Sequence, residues 1–379
     1  MMQKRVQDMD WINVSLIVRW SLGWALVLRL QELPKGVKQK KNERWIVIIP
    51  ARNEAKTLPQ LLTSLKHQTE RPDSVIVVDD NSVDDTRKIA LRYAKELPLK
   101  IVKVIEPPEK WCGKNWALHQ GVIASKDSQS TGDDILIFLD ADTEPSPTFL
   151  QRLIQALKEY GGLVSVQPYH RTEKPYEQLS VLFNLVGLMA VPLGQNCGVA
   201  FGPAMSTTRA DYEKSGGHHA VSDKVVEDWF LAHCYEKKGL NVSAFIGYKQ
   251  ICYRMYPGGT ADMVSGFNKN FATAAGEVHW LWMIAILLWL SGLFWAAWCL
   301  PAAIFGWPMV GTIDIMPNLI IYCSYSLQLT CLTHRVGNFS WIQLILPIPA
   351  LFFLGVFLQA IINLEKGQVY WKGRRVKTR

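Results

Sequence analysis

Between Trp45 and Asp142 the chain alternates short apolar runs with segments of helical spacing, and polar residues gather where the runs end. WIVIIP (45–50), SVIVVDD (74–80), KIVKVIE (100–106) and DILIFLDAD (134–142) are rich in β-branched residues, as strands covered on both faces are. The stretches Thr57–His67, Asp84–Leu97 and Asn115–Ser125 carry apolar residues at helical spacing. Strands joined through helices pair in parallel, so the pattern predicts an α/β fold with a parallel sheet between two helical layers. In such sheets ligands bind beyond the carboxyl ends of the strands. Pro50–Glu54, Asp79–Ser82 and Asp140–Asp142 fall at those ends.

After Tyr160 the rhythm loosens. A strand is expected over Leu163–Pro168, a helix over Val225–Glu236 and a strand over Val242–Ile246, with a glycine-rich stretch, Gly194–Gly217, before them. The uncharged run Leu179–Leu193 is too short to cross a bilayer comfortably and is expected to lie on a membrane surface. Trp11–Leu30 is apolar for about one crossing but interrupted by Arg19, which suits an anchor or an interfacial helix; no cleavable signal peptide is expected. Leu281–Val310, Ile315–Thr333 and Trp341–Ile362 are long apolar segments, the last carrying Pro347 and Pro349. The expected organisation is an anchor and basic linker (1–44), an α/β domain (45–265) and membrane helices with a basic tail (266–379).

Charge supports this division. Of the net +8, residues 1–44 and 363–379 together hold +10, leaving −2 for everything between. Basic ends beside apolar segments suit anionic headgroups, whereas a nucleic-acid binder would spread its basic residues over the folded domain. The seven cysteines are odd in number and form no CxxC pair, so reduced structural thiols and a cytoplasmic α/β domain are expected. One conflict arises. His334–Arg335 and the basic tail cannot both be cytoplasmic if all three C-terminal segments cross, so one of them is expected not to span fully.

The chemistry concentrates at the strand ends. Asp140 and Asp142 are two residues apart on an extended segment, so their carboxylates point the same way and can share one hard cation, Mg2+ or Mn2+. Such an ion would neutralise a leaving diphosphate. Asp79-Asp80-Asn81-Ser82 suits either hydrogen bonding to a nucleobase and ribose or a strand-to-helix turn with a capping residue. Arg52 and Glu54 add a cation and an acid at the same rim, and Lys114 begins a helix, where an ammonium and free N–H groups suit a phosphate. Glu227-Asp228 is either a general base beside an acceptor or an acid pair stabilised by its helix dipole. Arg254 can meet a departing diphosphate or serve as a structural ion-pair partner. His218 and His219 read more readily as polar loop than as acceptor-site residues.

Taken in order, PARNE (50–54), VVDDNS (77–82), DAD (140–142) and ED (227–228) resemble the inverting GT-A glycosyltransferases of family 2, over residues 45 to about 260. The resemblance implies a Rossmann-like, mostly parallel sheet, a UDP-sugar donor, a divalent metal and single displacement with inversion. By position, Pro50, Ala51, Arg52 and Glu54 would flank the nucleotide, and Asp79 or Asp80 would meet the uracil. Asp140 and Asp142 would hold metal and diphosphate; Asp228 would be the base, with Glu227 in reserve. SVQPYH (165–170), FNL (183–185), AFGP (200–203), GGH (216–218), RMY (254–256), HRVG (334–337) and VYWKGR (369–374) look like the branch that glucosylates carotenoid acids. A long apolar acceptor with a carboxylate or hydroxyl head is implied, with another lipid (hopanoid, sphingoid or polyprenyl phosphate) or a non-catalytic nucleotide-sugar scaffold as alternatives. The QxxRW motif of the family's processive synthases is not found, which favours single transfer.

Overall fold

The computed structural model describes residues 2–36, 42–224, 226–274, 278–307, 315–365, 369–371 and 374–376. After a leading helix, α1 (Met2–Val27), the alternation read from the sequence appears as β1 (Trp45–Ala51), α2 (Leu58–Lys66), β2 (Ser74–Asp80), α3 (Thr86–Tyr93), β3 (Leu99–Val104), α4 (Gly113–Ala124) and β4 (Ile135–Leu139). The chain continues through β5 (Thr143–Pro145), α5 (Phe149–Tyr160), β6 (Leu163–Gln167), β7 (Tyr169–His170), α6 (Val181–Met189), β8 (Ala204–Thr208), α7 (Arg209–Ser215), α8 (Glu227–Lys237), β9 (Val242–Ile246) and β10 (Ile251–Tyr253). Seven strands form one sheet in the order β3-β2-β1-β4-β8-β6-β9. β3, β2, β1 and β4 are mutually parallel, and β8 enters antiparallel to both β4 and β6. A small second sheet, β5-β10-β7, stands beside it.

The period-2 alternation of side chains sorts the strand residues into two cores. Val47, Ile49, Val75, Val77, Ile135 and Ile137 meet the leucines of α2 and the apolar face of α5. Ile46, Ile48, Ile76, Val78, Leu136 and Phe138 meet α4 and α8. Burial on both faces is why these runs lack a polar stripe. β8 lay unread inside the glycine-rich stretch because its sequence, AMSTT, has no apolar run, although Ser206 and Thr207 are fully buried.

The chain divides into two units: Leu30–His170 with Pro192–Met255, which holds the sheets, and Met1–Arg29 with Arg171–Val191 and Tyr256–Arg379, which is helical. The helical unit contains α1, a 3₁₀ turn (Pro175–Ser180) leading into α6, then α9 (Thr260–Ala274), α10 (Trp280–Phe305), α11 (Ile315–Thr333) and α12 (Pro347–Glu365). A short hairpin follows, β11 (Val369–Trp371) and β12 (Arg374–Val376). Among the described residues two helices, α10 and α11, are long and apolar enough to cross a membrane. Polar contacts join them to α1: Trp289 Nε1 donates to Gln328 Oε1 at 2.9 Å, Gln328 Nε2 to the Trp20 carbonyl at 2.6 Å, and Trp20 Nε1 to the Ser324 carbonyl at 3.2 Å. The run expected to lie on a membrane surface instead forms α6, whose apolar side chains are mostly buried. The end of the apolar segment expected to run to Val310 lies outside the described residues.

Close packing of α4 on the sheet depends on Gly121, where an added Cβ would land on the side chains of Ile48 and Val78. Gly121→Val is expected to destabilise the sheet unit by about 1–3 kcal/mol through overpacking. A chemical-denaturation curve with an unchanged midpoint would show that α4 has room to move.

Candidate active site

The ends of β1 and β2 are held level, with Ala51 paired to Asp79. Each strand then turns through an asparagine at positive φ, Asn53 (58°) and Asn81 (53°), a conformation asparagine tolerates better than most residues. The two turns are cross-linked. Asn53 N–H donates to Ser82 Oγ at 3.0 Å, and Val83 N–H to Asn53 Oδ1 at 2.9 Å. Ser82 N–H donates to Asp79 Oδ1 at 3.0 Å, and Glu54 N–H to Thr86 Oγ1 at 2.8 Å. These bonds fix Pro50, Ala51, Arg52 and Glu54 against Asp79 and Asp80 as one rim. Arg52 Nη1 lies 3.3 Å from Asp80 Oδ2, while Asp80 Oδ1 is buried without a hydrogen-bond partner.

One strand further along, Lys114 draws the second half of the site together. Its Nζ lies 2.9 Å from Asp140 Oδ1 and 3.0 Å from Asp140 Oδ2, and 2.9 Å from Glu227 Oε1. Lys114 stands in the first turn of α4, Asp140 just past β4 and Glu227 at the start of α8, so one ammonium closes a triangle between three elements. Burial disfavours its charge, but Asp140 and Glu227 outweigh burial and raise its pKa. Asp228 accepts from Gly202 N–H at 2.7 Å and from its own following amide, Trp229 N–H, at 2.9 Å. Burial and Glu227 nevertheless raise Asp228 to about 6, against the opposing pull of Lys114 and these two donors.

Asp142 sits in a corner with more carboxylate than cation. Burial, Asp140 and Glu54 raise it to about 7, with Lys114 pulling the other way. Excess negative charge on oxygen donors is the condition a hard divalent ion relieves. Asp140 and Asp142 therefore fit Mg2+ or Mn2+, although Asp140 now spends both oxygens on Lys114. Among the described residues no group of three or more His, Cys, Asp or Glu is assembled for a metal, so further ligands would have to be diphosphate oxygens and water. Arg254 follows β10 directly; Tyr253 pairs with Thr143, so the chain leaves β10 at the end of the ladder where Asp142 leads into β5.

Three residues of this site escaped the sequence reading. Gly202 is one: a Cβ there would stand 3.1 Å from Asp228 Oδ2 and 3.3 Å from Lys114 Nζ, so the AFGP glycine lets backbone approach the acid pair. Asn115, fully buried, donates through Nδ2 to the carbonyls of Val221 (2.7 Å) and Lys224 (2.9 Å), tying α4 to the loop before Glu227. His218 is not polar loop. It is fully buried against Phe138, its Nδ1 is 2.9 Å from Tyr212 Oη, and burial holds it neutral, with a pKa lowered to about 3. The GGH and AFGP motifs marked His218 and Gly202 without indicating their roles, and no motif marked Asn115. His219 instead joins Trp111, Trp116 and His119 in a cluster of rings.

Residues 46–211 match the family model described as Glycosyl transferase family 2. A 4,4'-diaponeurosporenoate glycosyltransferase of Staphylococcus aureus is 31% identical over 390 aligned residues, covering 97% of this chain and 98% of that protein. Among solved structures, the mannosyltransferase PcManGT from Pyrobaculum calidifontis, in complex with GDP-Man and Mn2+, matches with a TM-score of 0.52 at 19% identity, covering 91% of this chain and 97% of that one. That likeness is one of fold. The parallel sheet, the acids at its strand ends and the near full-length relative lead to one conclusion: this chain belongs to glycosyl transferase family 2 and is a glycosyltransferase with a GT-A fold.

Proposed function

We propose that this glycosyltransferase works at a membrane, moving a hexose from a UDP-sugar, glucose foremost, to a lipophilic acid of the carotenoid type, with inversion. The observation that carries the reading is the Lys114–Asp140–Glu227 triangle with Asp228 beside it, at the carboxyl ends of the central strands. The acceptor class rests on the near full-length relative and on the apolar helices α10 and α11. Basic chain ends and the apolar helices support the membrane, with the sheet unit on the cytoplasmic side.

In this reading the buried, unpartnered Asp80 Oδ1 accepts from the imide N–H of uracil, while Arg52 steadies the same carboxylate. Pro50, Ala51, Glu54 and Asp79 complete the nucleotide rim. Asp142 and Asp140 hold Mg2+ or Mn2+, which supplies charge neutralisation on the leaving diphosphate. Lys114 then exchanges a carboxylate partner for a phosphate oxygen, and Arg254 adds a second cation near the diphosphate. The acceptor oxygen attacks the anomeric carbon as the bond from that carbon to the diphosphate oxygen breaks, and the electron pair leaves on UDP. A hydroxyl acceptor gives up its proton to Asp228, with Glu227 held in place by Lys114. A carboxylate acceptor is ionised at neutral pH and needs no base.

Metal-dependent UDP release from UDP-glucose, stimulated by a carotenoid acid, is the expected result with detergent-solubilised protein. Asp142→Asn is expected to lower it roughly 10²-fold or more, as loss of several kcal/mol of charge stabilisation requires. Turnover of GDP-mannose alone would overturn the donor, and stimulation only by neutral lipids would overturn the acceptor. The pH profile separates the two acceptor chemistries. Asp228 is a base only when ionised, so with a hydroxyl acceptor kcat/KM is expected to fall below about pH 6, where that raised carboxyl takes up its proton. With a carboxylate acceptor the Asp228 contribution is expected to be missing, as it would be for Asp228→Asn, leaving only the acid limb common to both acceptors as Asp142, raised to about 7, takes up its proton.

A further inference from the structure

Helix α12 has nineteen residues, about the length of one crossing, yet its two ends are tied to chain that stays on one side. Its start follows the loop after α11, and Asn338 in that loop is bonded to Thr172. Thr172 N–H donates to Asn338 Oδ1 at 2.6 Å, and Asn338 Nδ2 donates to the Thr172 carbonyl at 2.9 Å. Ser340 N–H donates to Gln178 Oε1 at 2.9 Å. Thr172 and Gln178 belong to the segment Arg171–Val191, which leaves the sheet unit after His170 and rejoins it at Pro192. Out and back across a bilayer takes about forty residues, so this segment cannot cross.

The far end is tied in the same way. β11, just beyond α12, packs on α9. α9 spans fifteen residues, has Asp262, Asn268, Lys269 and Asn270 in its sequence, and connects the sheet unit to the start of α10, so it does not cross either. α12 itself packs along α9, α10, α6 and the 3₁₀ turn before α6. Phe183 of α6 stacks on Phe267 of α9, ring centroids 4.1 Å apart, and meets Phe353 of α12 at 4.7 Å.

The remaining face of α12 is apolar and exposed. Ala350, Phe353, Val356 and Ala360 are buried, whereas Leu351, Leu354, Leu358 and Ile361 on the other side are not. So broad an exposed apolar face needs an apolar cover, and the lipid-length helices α10 and α11 of the same unit show which one is at hand. We propose that α12 is an interfacial helix lying in the plane of one leaflet, its outer face set among acyl chains and both its ends on the side of the sheet unit. The crossings are then α10 and α11, out and back. Arg29, just after α1, lies over the Trp282 ring at 3.5 Å, so α1 ends where α10 begins and the two run in opposite directions. His334–Arg335 and the basic tail fall on the same side, against anionic headgroups, which removes the charge conflict read from the sequence.

The proposal rests on the membrane reading, and the test separates the two. Full-length protein is first washed with carbonate; release from membranes would sink both. For protein that stays, a sided reporter is fused after Arg379, within 308–314, or in the exposed 127–132 loop of the sheet unit, with UDP release confirming that each fusion is folded. The reporters after Arg379 and at 127–132 are expected on one side, and that within 308–314 on the other. A second readout, Gly367→Cys labelled by an impermeant maleimide above the wild-type level, is expected to match the 127–132 loop. A C-terminal reporter and a position-367 label on the side of 308–314 would mean that α12 crosses, and the proposal falls.

Discussion

The ammonium of Lys114 is the contact on which the site is built. Asp140, Glu227, Asp228, Asp142 and Glu54 are acids gathered at one end of a sheet, and like charges this close oppose one another strongly in a partly desolvated setting. One cation between Asp140 and Glu227 offsets enough of that repulsion for the loop before α8 to close against α4. Asn115, the next residue along α4, completes the closure with uncharged hydrogen bonds to the same loop. The first turn of α4 thus carries both the charge and the amide that hold the acid pair in place.

The rim at β1 and β2 solves a different problem by different means. There the loops are short, and each passes through a left-handed asparagine whose side chain or backbone bonds to the neighbouring loop. A network of neutral and charge-assisted bonds leaves one carboxylate oxygen, Asp80 Oδ1, buried and unspent. Buried polar atoms are nearly always satisfied, so this oxygen keeps its capacity to accept a hydrogen bond.

Much of this was legible in the sequence because parallel strands buried on both faces are continuous apolar runs, and the polar residues that end them stand out against those runs. β1, β2, β4 and β9 stand where their β-branched runs placed them. β8 was hidden because AMSTT has no apolar run, and the hydroxyl of its buried Thr207 is satisfied by Tyr235 Oη of α8 at 2.9 Å, a residue no local pattern links to it. His218 was misjudged for a related reason: a histidine next to glycines reads as loop, and only Phe138 and Tyr212, which no local pattern links to it, make its surroundings apolar. The length of α12 suggested a crossing, while the ties at its two ends belong to residues far away along the chain.

The scattered origin of the helical unit has a consequence for how the protein is made. α1 leaves the ribosome before any strand of the sheet unit, whereas its partners α10 and α11 are synthesised after all of them. Residues 171–191 likewise emerge from the middle of the sheet unit long before α9 and α12 exist to cover Phe183. The sheet unit has all its strands once Tyr253 is out, so it can fold as a unit during synthesis, as domains generally do. Through that interval it carries an uncovered apolar loop and a partnerless helix, and the lipid bilayer or a chaperone must shield both until α9 to α12 have been made.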